Sequence, residues 1–228
     1  MTIQAVMFDF SGTLFRLEQD PSWLSDLTGS DGAPLDVEAQ TELMRRMTAP
    51  TGQVVELSEE YQHAWDNRDL DPVLHRKVYL EVLRKSGVAN AEQAEALYRR
   101  LNDPAEWTPY PDTEAALKAI SAKGVKVGVL SNIAFDIRPA FTMRGYGEFV
   151  DEFVLSFEHG FIKPQPEIFR LLADRLGVAP ERTLMVGDSA EADGGATALG
   201  CAFALVDPLP TAERPDGLLT ALRTHGVL

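Results

Sequence analysis

Near the start of the chain, Asp9 closes an apolar run over residues 3–8 and is followed at once by Phe10-Ser11-Gly12-Thr13-Leu14. A carboxylate delivered at a strand end, with a Gly-Thr turn behind it, is placed to act as a nucleophile or a metal ligand. Gly12 lets backbone approach a ligand closely, and the turn N–H groups and the Thr13 hydroxyl can face an anion. A buried strand whose last Asp simply caps a turn is the other reading of this stretch taken alone. Further polar groups stand just after apolar runs or beside them: Ser131-Asn132 after 125–130, Lys163 before Pro164, and Asp188 with Asp193 after 183–186. Singly, Lys163 reads equally well as a solvated lysine before a proline turn, and Asp188 as a helix N-cap. In a parallel α/β sheet the carboxyl ends of the strands share one edge, so all these groups would converge there.

The chain between them carries the pattern of such a scaffold. Strand-like runs at 3–8, 125–130, 149–155, 183–186 and 202–206 alternate with helical patterns at 112–123, 139–144, 166–176, 194–199 and 218–223. That alternation predicts an α/β fold with a parallel sheet covered on both faces. Asp112 is expected to cap the first of these helices, and Gly124 and Gly177 to end theirs. Residues 16–108 have a different texture, with no strand-like runs. Amphipathic helices are expected there at 34–49, 58–70, 72–86 and 90–101, with Asp71-Pro72 and Asn90 as start signals. The expected division is therefore a core of 1–15 and 109–228 and an all-helical, four-helix unit of 16–108 inserted after the first strand.

Composition narrows the function. The chain has 228 residues, 45% hydrophobic and 25% charged, as in an ordinary globular protein. A net charge of −14 argues against a nucleic-acid backbone or an anionic membrane as a partner. The single cysteine, Cys201, excludes an internal disulfide and a cysteine-based zinc site, and its apolar surroundings read as buried filler. No stretch is long and apolar enough to span a bilayer, and Asp9 interrupts the first apolar run, so no signal peptide is read and a cytoplasmic protein is expected.

Taken in order, four motifs resemble those of the haloacid dehalogenase superfamily, in the branch (subfamily I, C1-type) whose helical cap follows motif one. They are Phe8-Asp9-Phe10-Ser11-Gly12-Thr13-Leu14, Val129-Leu130-Ser131-Asn132, the stretch 156–169 that carries Lys163-Pro164, and Val186-Gly187-Asp188-Ser189 with Asp193. The resemblance implies a Rossmann-like three-layer core and Mg²⁺-dependent hydrolysis of a small phosphorylated metabolite through an aspartyl-phosphate on Asp9. It implies Mg²⁺ held by Asp9, Asp188 and the Ser11 backbone carbonyl, with support from Asp193; oxygen ligands suit this hard cation. Gly12, Thr13, Ser131 and Asn132 would bind phosphate oxygens, and Lys163 would neutralise nucleophile and phosphate as a point charge.

One position departs from the phosphatase pattern. Two residues after the nucleophile these enzymes carry a second Asp that protonates the leaving oxygen, and here that position is Ser11. A serine carbonyl can still bind metal, but its hydroxyl carries no titratable proton at neutral pH. A positioned acid contributes roughly 10²–10⁴-fold. Three expectations follow: a substrate with an activated leaving group, such as an acyl phosphate; another acid, with His75 or His159 as candidates; or a slow or non-catalytic protein that binds Mg²⁺ and phosphate. Dehalogenases and phosphonatases of the superfamily also lack the second Asp. The Gly187-Asp188-Ser189 form with Asp193 speaks against the metal-free dehalogenases, while a phosphonatase would need a cap lysine, Lys77 or Lys85. Over the edge, Arg16, Arg45, Arg46 and Arg68 could meet an anionic substrate, and Trp23 or Trp65 could stack on a flat one.

Overall fold

Five short apolar segments bury their backbone polar groups by pairing side by side in the computed structural model, which describes residues 2–18, 20–24, 27–29, 32–48 and 53–228. In chain order the strands are β1 (Ala5–Phe8), β2 (Phe15–Leu17), β3 (Trp107–Pro109), β4 (Lys126–Ser131), β5 (Glu152–Leu155), β6 (Thr183–Gly187) and β7 (Ala202–Leu205). The main sheet runs β5-β4-β1-β6-β7, parallel throughout, with β1 in the middle. Phe8 is level with Val129 on one side and Val186 on the other, so the chain leaves β1, β4 and β6 along a common edge. The Asp9 N–H donates to the Val186 carbonyl at 3.0 Å, which fixes the carboxylate's starting point there.

The helices are α1 (Val37–Thr48), α2 (Glu59–Asp66), α3 (Pro72–Lys85), α4 (Ala91–Leu101), α5 (Thr113–Ala122), α6 (Arg138–Thr142), α7 (Ser156–His159), α8 (Pro166–Leu176) and α9 (Gly217–Thr224). Side chains alternate across the sheet, and the core divides accordingly. Val6 and Phe8 join one cluster with Leu117 and Ile120 of α5 and Leu218 and Leu222 of α9. Ala5 and Met7 join the other, with Ile168, Phe169, Leu172 and Leu176 of α8. This is the three-layer α/β arrangement the sequence pattern predicts.

Helices α1–α4 all fall between β2 and β3, and the details refine the expectations. The helix expected at 34–49 begins at Val37, and its expected last residue, Ala49, lies outside the described residues. The second helix stops at Asp66 rather than running to Leu70, which frees residues 67–70 to turn. Asp71 and Asn90 cap as expected, accepting from Val73 and from Glu92 and Gln93. Asp112 does not cap α5: its carboxylate accepts from the Leu219 N–H at 3.0 Å and ties α9 to α5. The segment Asp193–Leu199 is a 3-10 helix, which three early glycyl and alanyl residues with little side chain to pack permit. Sequence reading missed the antiparallel ribbon in which Arg16 faces Thr108 and Leu17 faces Trp107, because three-residue strands leave no measurable period. Cys201 is buried and free, and no described helix is long and apolar enough to cross a membrane.

The loop after Asp9 is anchored by aromatic packing. The fully buried Phe10 ring lies 5.0 Å from Phe15, 4.9 Å from Trp107 and 6.0 Å from Phe141. Phe10→Ala is expected to lower the unfolding free energy by about 3–5 kcal/mol in urea titrations. A loss below about 1 kcal/mol would show that these rings do not hold the loop.

Candidate active site

At the common edge, the loop that follows α7 delivers Lys163. Its Nζ stands 2.6 Å from Asp9 Oδ1 and 2.6 Å from Asp193 Oδ1, with the side chain 3% exposed. Asn132, just past β4, holds the backbone of that loop on both sides of the residue. Its Nδ2 donates to the Lys163 carbonyl at 3.0 Å, and its Oδ1 accepts from the Lys163 N–H at 2.7 Å. An amide expected on phosphate oxygens is thus engaged in positioning the lysine. Thr13, fully buried, likewise turns inward and donates to Asp9 Oδ2 at 3.3 Å.

The acidic groups come together. Asp9, Asp188 and Asp193 each offer a carboxylate oxygen within 4.8 Å of the others. Burial pushes the Asp9 carboxyl up to about 7, with Asp193 and Asp188 adding to the rise and Lys163 opposing it. Burial and then Asp193 push Asp188 up to about 6. For Lys163, burial works against the charge, but Asp193 and Asp9 overcome it and raise its pKa. Three carboxyl groups stand against one ammonium at close range, and all the donors are hard oxygens. A divalent cation such as Mg²⁺ fits both the charge and the donor set.

Two glycines permit this crowding. A Cβ on Gly187 would stand 2.2 Å from Asp193 Cγ, and one on Gly12, at φ +77°, would stand 2.4 Å from Asp188 Oδ2. Asp193 is locked further by the Ser189 N–H, which donates to its Oδ2 at 2.9 Å. From the far end of the chain, the buried Arg214 donates to the carbonyls of Gly12 (2.7 Å) and Thr13, and its guanidinium lies 3.2 Å from the Tyr110 ring centre. Sequence reasoning missed Arg214, since nothing around it distinguishes it from a surface arginine.

Above the edge lies a cavity of about 290 Å³. Its floor holds Asp9, Ser11, Gly12, Ser131, Asn132, Lys163, Asp188 and Asp193, so of the residues expected to act on nucleophile, phosphate or metal only Thr13 does not line it. The opposite wall comes from β2, the helical segment and β3. Arg16 and Arg68 reach it, whereas Arg45 and Arg46 bind Glu42 instead. Trp65 carries the Arg68 guanidinium at 4.1 Å, Trp23 carries Arg100, and neither lines the cavity. Lys77 pairs with Glu60 and Lys85 donates to the Glu56 carbonyl, both away from the cavity, so neither is placed for a phosphonatase role.

The two histidines diverge. His159 does not line the cavity. His75 does, but it is stacked 4.2 Å from Tyr79, bonded through Nδ1 to the Tyr98 hydroxyl at 2.9 Å, and pushed down by burial to about 3. A group neutral throughout the physiological range cannot serve as the missing acid.

The fold is a parallel α/β sheet with a lysine-bridged carboxylate cluster at its carboxyl edge, and comparison with known proteins identifies the lineage. The model of the haloacid dehalogenase-like hydrolases matches residues 3–199, and the chain belongs to that family. Glyceraldehyde 3-phosphate phosphatase of Methanothermobacter thermautotrophicus is 39% identical over 109 residues, 46% of this chain and 48% of that protein, so the match spans about half the relative's length. The Methanopyrus kandleri protein of the same name is 30% identical over 210 residues, covering 84% of this chain and 78% of the other. Among solved structures, a dehalogenase superposes with a TM-score of 0.67 over 97% of this chain and 96% of its own, at 19% identity, a likeness of fold alone.

His75 generates a pH prediction. Its folded-state pKa lies below the ordinary 6.5, so on acidification the unfolded chain takes up a proton that the native state refuses. Stability present above pH 6.5 is therefore lost as pH falls, by about 2 kcal/mol at pH 5. Thermal melts of His75→Gln should show a correspondingly smaller drop between pH 7 and pH 5; an unchanged drop would contradict the neutral, buried histidine.

Proposed function

We propose that this protein is a Mg²⁺-dependent phosphatase acting on a small phosphorylated metabolite through an aspartyl-phosphate on Asp9. The observation that carries the reading is the Asp9–Lys163–Asp193 bridge, with Asp188 beside it, on the floor of a cavity. Mg²⁺ would be held by Asp9, Asp188 and the Ser11 carbonyl, with Asp193 in support, and when bound it supplies charge neutralisation at the phosphoryl oxygens. Lys163 orients Asp9 for attack and adds a fixed positive charge against the incoming phosphate. Ser131, which also lines the cavity, supplies a hydroxyl to a phosphoryl oxygen, and the Gly12 turn lets the group come close. Asn132 and Thr13 act at one remove, holding Lys163 and Asp9 in place.

The helical segment of residues 16–108 acts as a cap on the core formed by 1–15 and 109–228, closing the cavity from above and excluding water. The cavity volume suits a small metabolite. The two archaeal relatives are named for a three-carbon phosphate, which agrees with a substrate of that size. An acidic chain reaching an anionic substrate needs local positive charge, and Lys163, Arg16, Arg68 and the cation supply it. Ser11 favours a second reading, a protein that binds Mg²⁺ and phosphate without turnover.

Phosphate release from acyl phosphates and from ordinary monoesters, with Mg²⁺, tests the reading. Turnover is expected, and Asp9→Asn should bring it to the buffer blank. Chelation with EDTA should abolish it reversibly. Mg²⁺ should raise the melting temperature of the wild type but not of Asp188→Asn. Silence on every phosphate, with that Mg²⁺ shift intact, would transfer the assignment to the binding protein; halide release without metal would make it a dehalogenase.

A further inference from the structure

Ser11 leaves the proposed reaction without its proton donor, and the geometry of the cavity supplies a replacement. Among the described residues, four carboxyls line the cavity: Asp9, Asp188 and Asp193, which cluster on the floor, and Asp69, which comes from the turn between α2 and α3 on the opposite wall. Asp69 exists at this place because α2 ends at Asp66 and the chain turns before Asp71 starts α3. That turn is tied to the catalytic edge. The Ser156 hydroxyl, at the start of α7, donates to the Asp69 carbonyl, and the same oxygen accepts from the Ile133 N–H at 2.8 Å, next to Ser131-Asn132.

We propose that Asp69 is the general acid–base of this enzyme, reaching from the cap to the leaving-group oxygen in place of the carboxyl that Ser11 lacks. The inference rests on the phosphatase reading above. The other proton-bearing groups on the cavity wall are unsuited. Arginines do not release protons, Lys163 is bridged to two carboxylates, His75 is neutral, and burial pushes the Tyr79 phenol above its already high range. The Asp69 side chain is 21% exposed, and burial raises its carboxyl above the ordinary range against the pull of Arg68 and Lys163. Arg68, 3.6 Å away, shares its own turn; Lys163 faces it from the core loop and Tyr79 from α3. A carboxyl so placed holds a proton further toward neutrality than a solvated one and still releases it to an alkoxide.

The steps balance. Asp9 Oδ attacks phosphorus, the bond to the leaving oxygen breaks with its electron pair on that oxygen, and the oxygen takes the Asp69 proton to leave as an alcohol. Water then attacks the phosphorus of the aspartyl-phosphate and gives a proton to the Asp69 carboxylate. The P–O bond to Asp9 breaks, releasing phosphate and restoring both carboxyl groups.

The test is the dependence of rate on leaving group. kcat/KM is measured for acetyl phosphate, p-nitrophenyl phosphate, phenyl phosphate and glycerol phosphate with wild type, Asp69→Asn and Asp69→Glu, and melting temperatures check folding. Asp69→Asn should lose roughly 10²–10⁴-fold on phenyl and glycerol phosphates but less than about tenfold on acetyl and p-nitrophenyl phosphates. Asp69→Glu, which keeps a carboxyl, should retain glycerol phosphate turnover within about 100-fold of wild type. Equal losses on all four substrates, or no loss on any, would overturn the assignment and leave the phosphatase reading standing. Should Asp69→Asn not fold, a steep leaving-group dependence in wild type, which an enzyme with a working general acid does not show, would overturn it equally. A wild type as silent as Asp9→Asn on all four substrates would sink the phosphatase reading itself.

Discussion

The arrangement depends on one buried ammonium. Lys163 bridges Asp9 and Asp193 at 2.6 Å each, and without it three carboxylates could not share a dry edge of the sheet. Its geometry is set three times over: by the Asn132 amide on its backbone, by the central position of β1 beneath Asp9, and by the Ser189 N–H that locks Asp193. Each comes from a different strand end, so the bridge forms only when the parallel sheet has its register. Fold and site are here one constraint.

The remaining imbalance of charge is useful. A lysine that neutralised the site completely would leave nothing for a cation, whereas three clustered carboxyl groups offer a set of hard oxygens that suits one. The crowding this needs is possible because Gly12 and Gly187 leave out the Cβ atoms that would collide with Asp188 and Asp193. Arg214 and the Phe10, Phe15 and Phe141 rings hold the same loop from opposite directions, one through carbonyls and the other through packing. Facing this polar floor, the upper wall mixes aromatic and apolar side chains with Arg16, Arg68 and Asp69.

Much of the site was legible in the chain because its chemistry is punctuated. Apolar runs that stop at Asp9, Ser131 and Asp188 mark strand ends, and a strand end in a parallel sheet is a location as well as a boundary. Asn132 and Thr13 were found by the same signal, but their side chains turned inward, since a buried lysine backbone and a buried carboxylate had prior need of hydrogen bonds. Asp112 made the opposite lesson: a residue ideal for a cap went instead to the N–H of Leu219, 107 positions away.

The sequence by itself determined the alternation of strands and helices, the inserted helical stretch, and the identity and order of the groups at the carboxyl edge of the sheet, because these rest on local periodicity and on residues adjacent to strand ends. Only the tertiary structure decided which residues of the helical segment reach the cavity, that both candidate histidines are unsuited as acids, that Asp69 lines the cavity, and that Arg214 holds the Gly12–Thr13 backbone. Those outcomes rest on single contacts across 87 and 202 positions, from Ser156 to Asp69 and from Arg214 to Gly12. No local pattern encodes such pairings; packing the helical segment and the C-terminal residues against the sheet selects them.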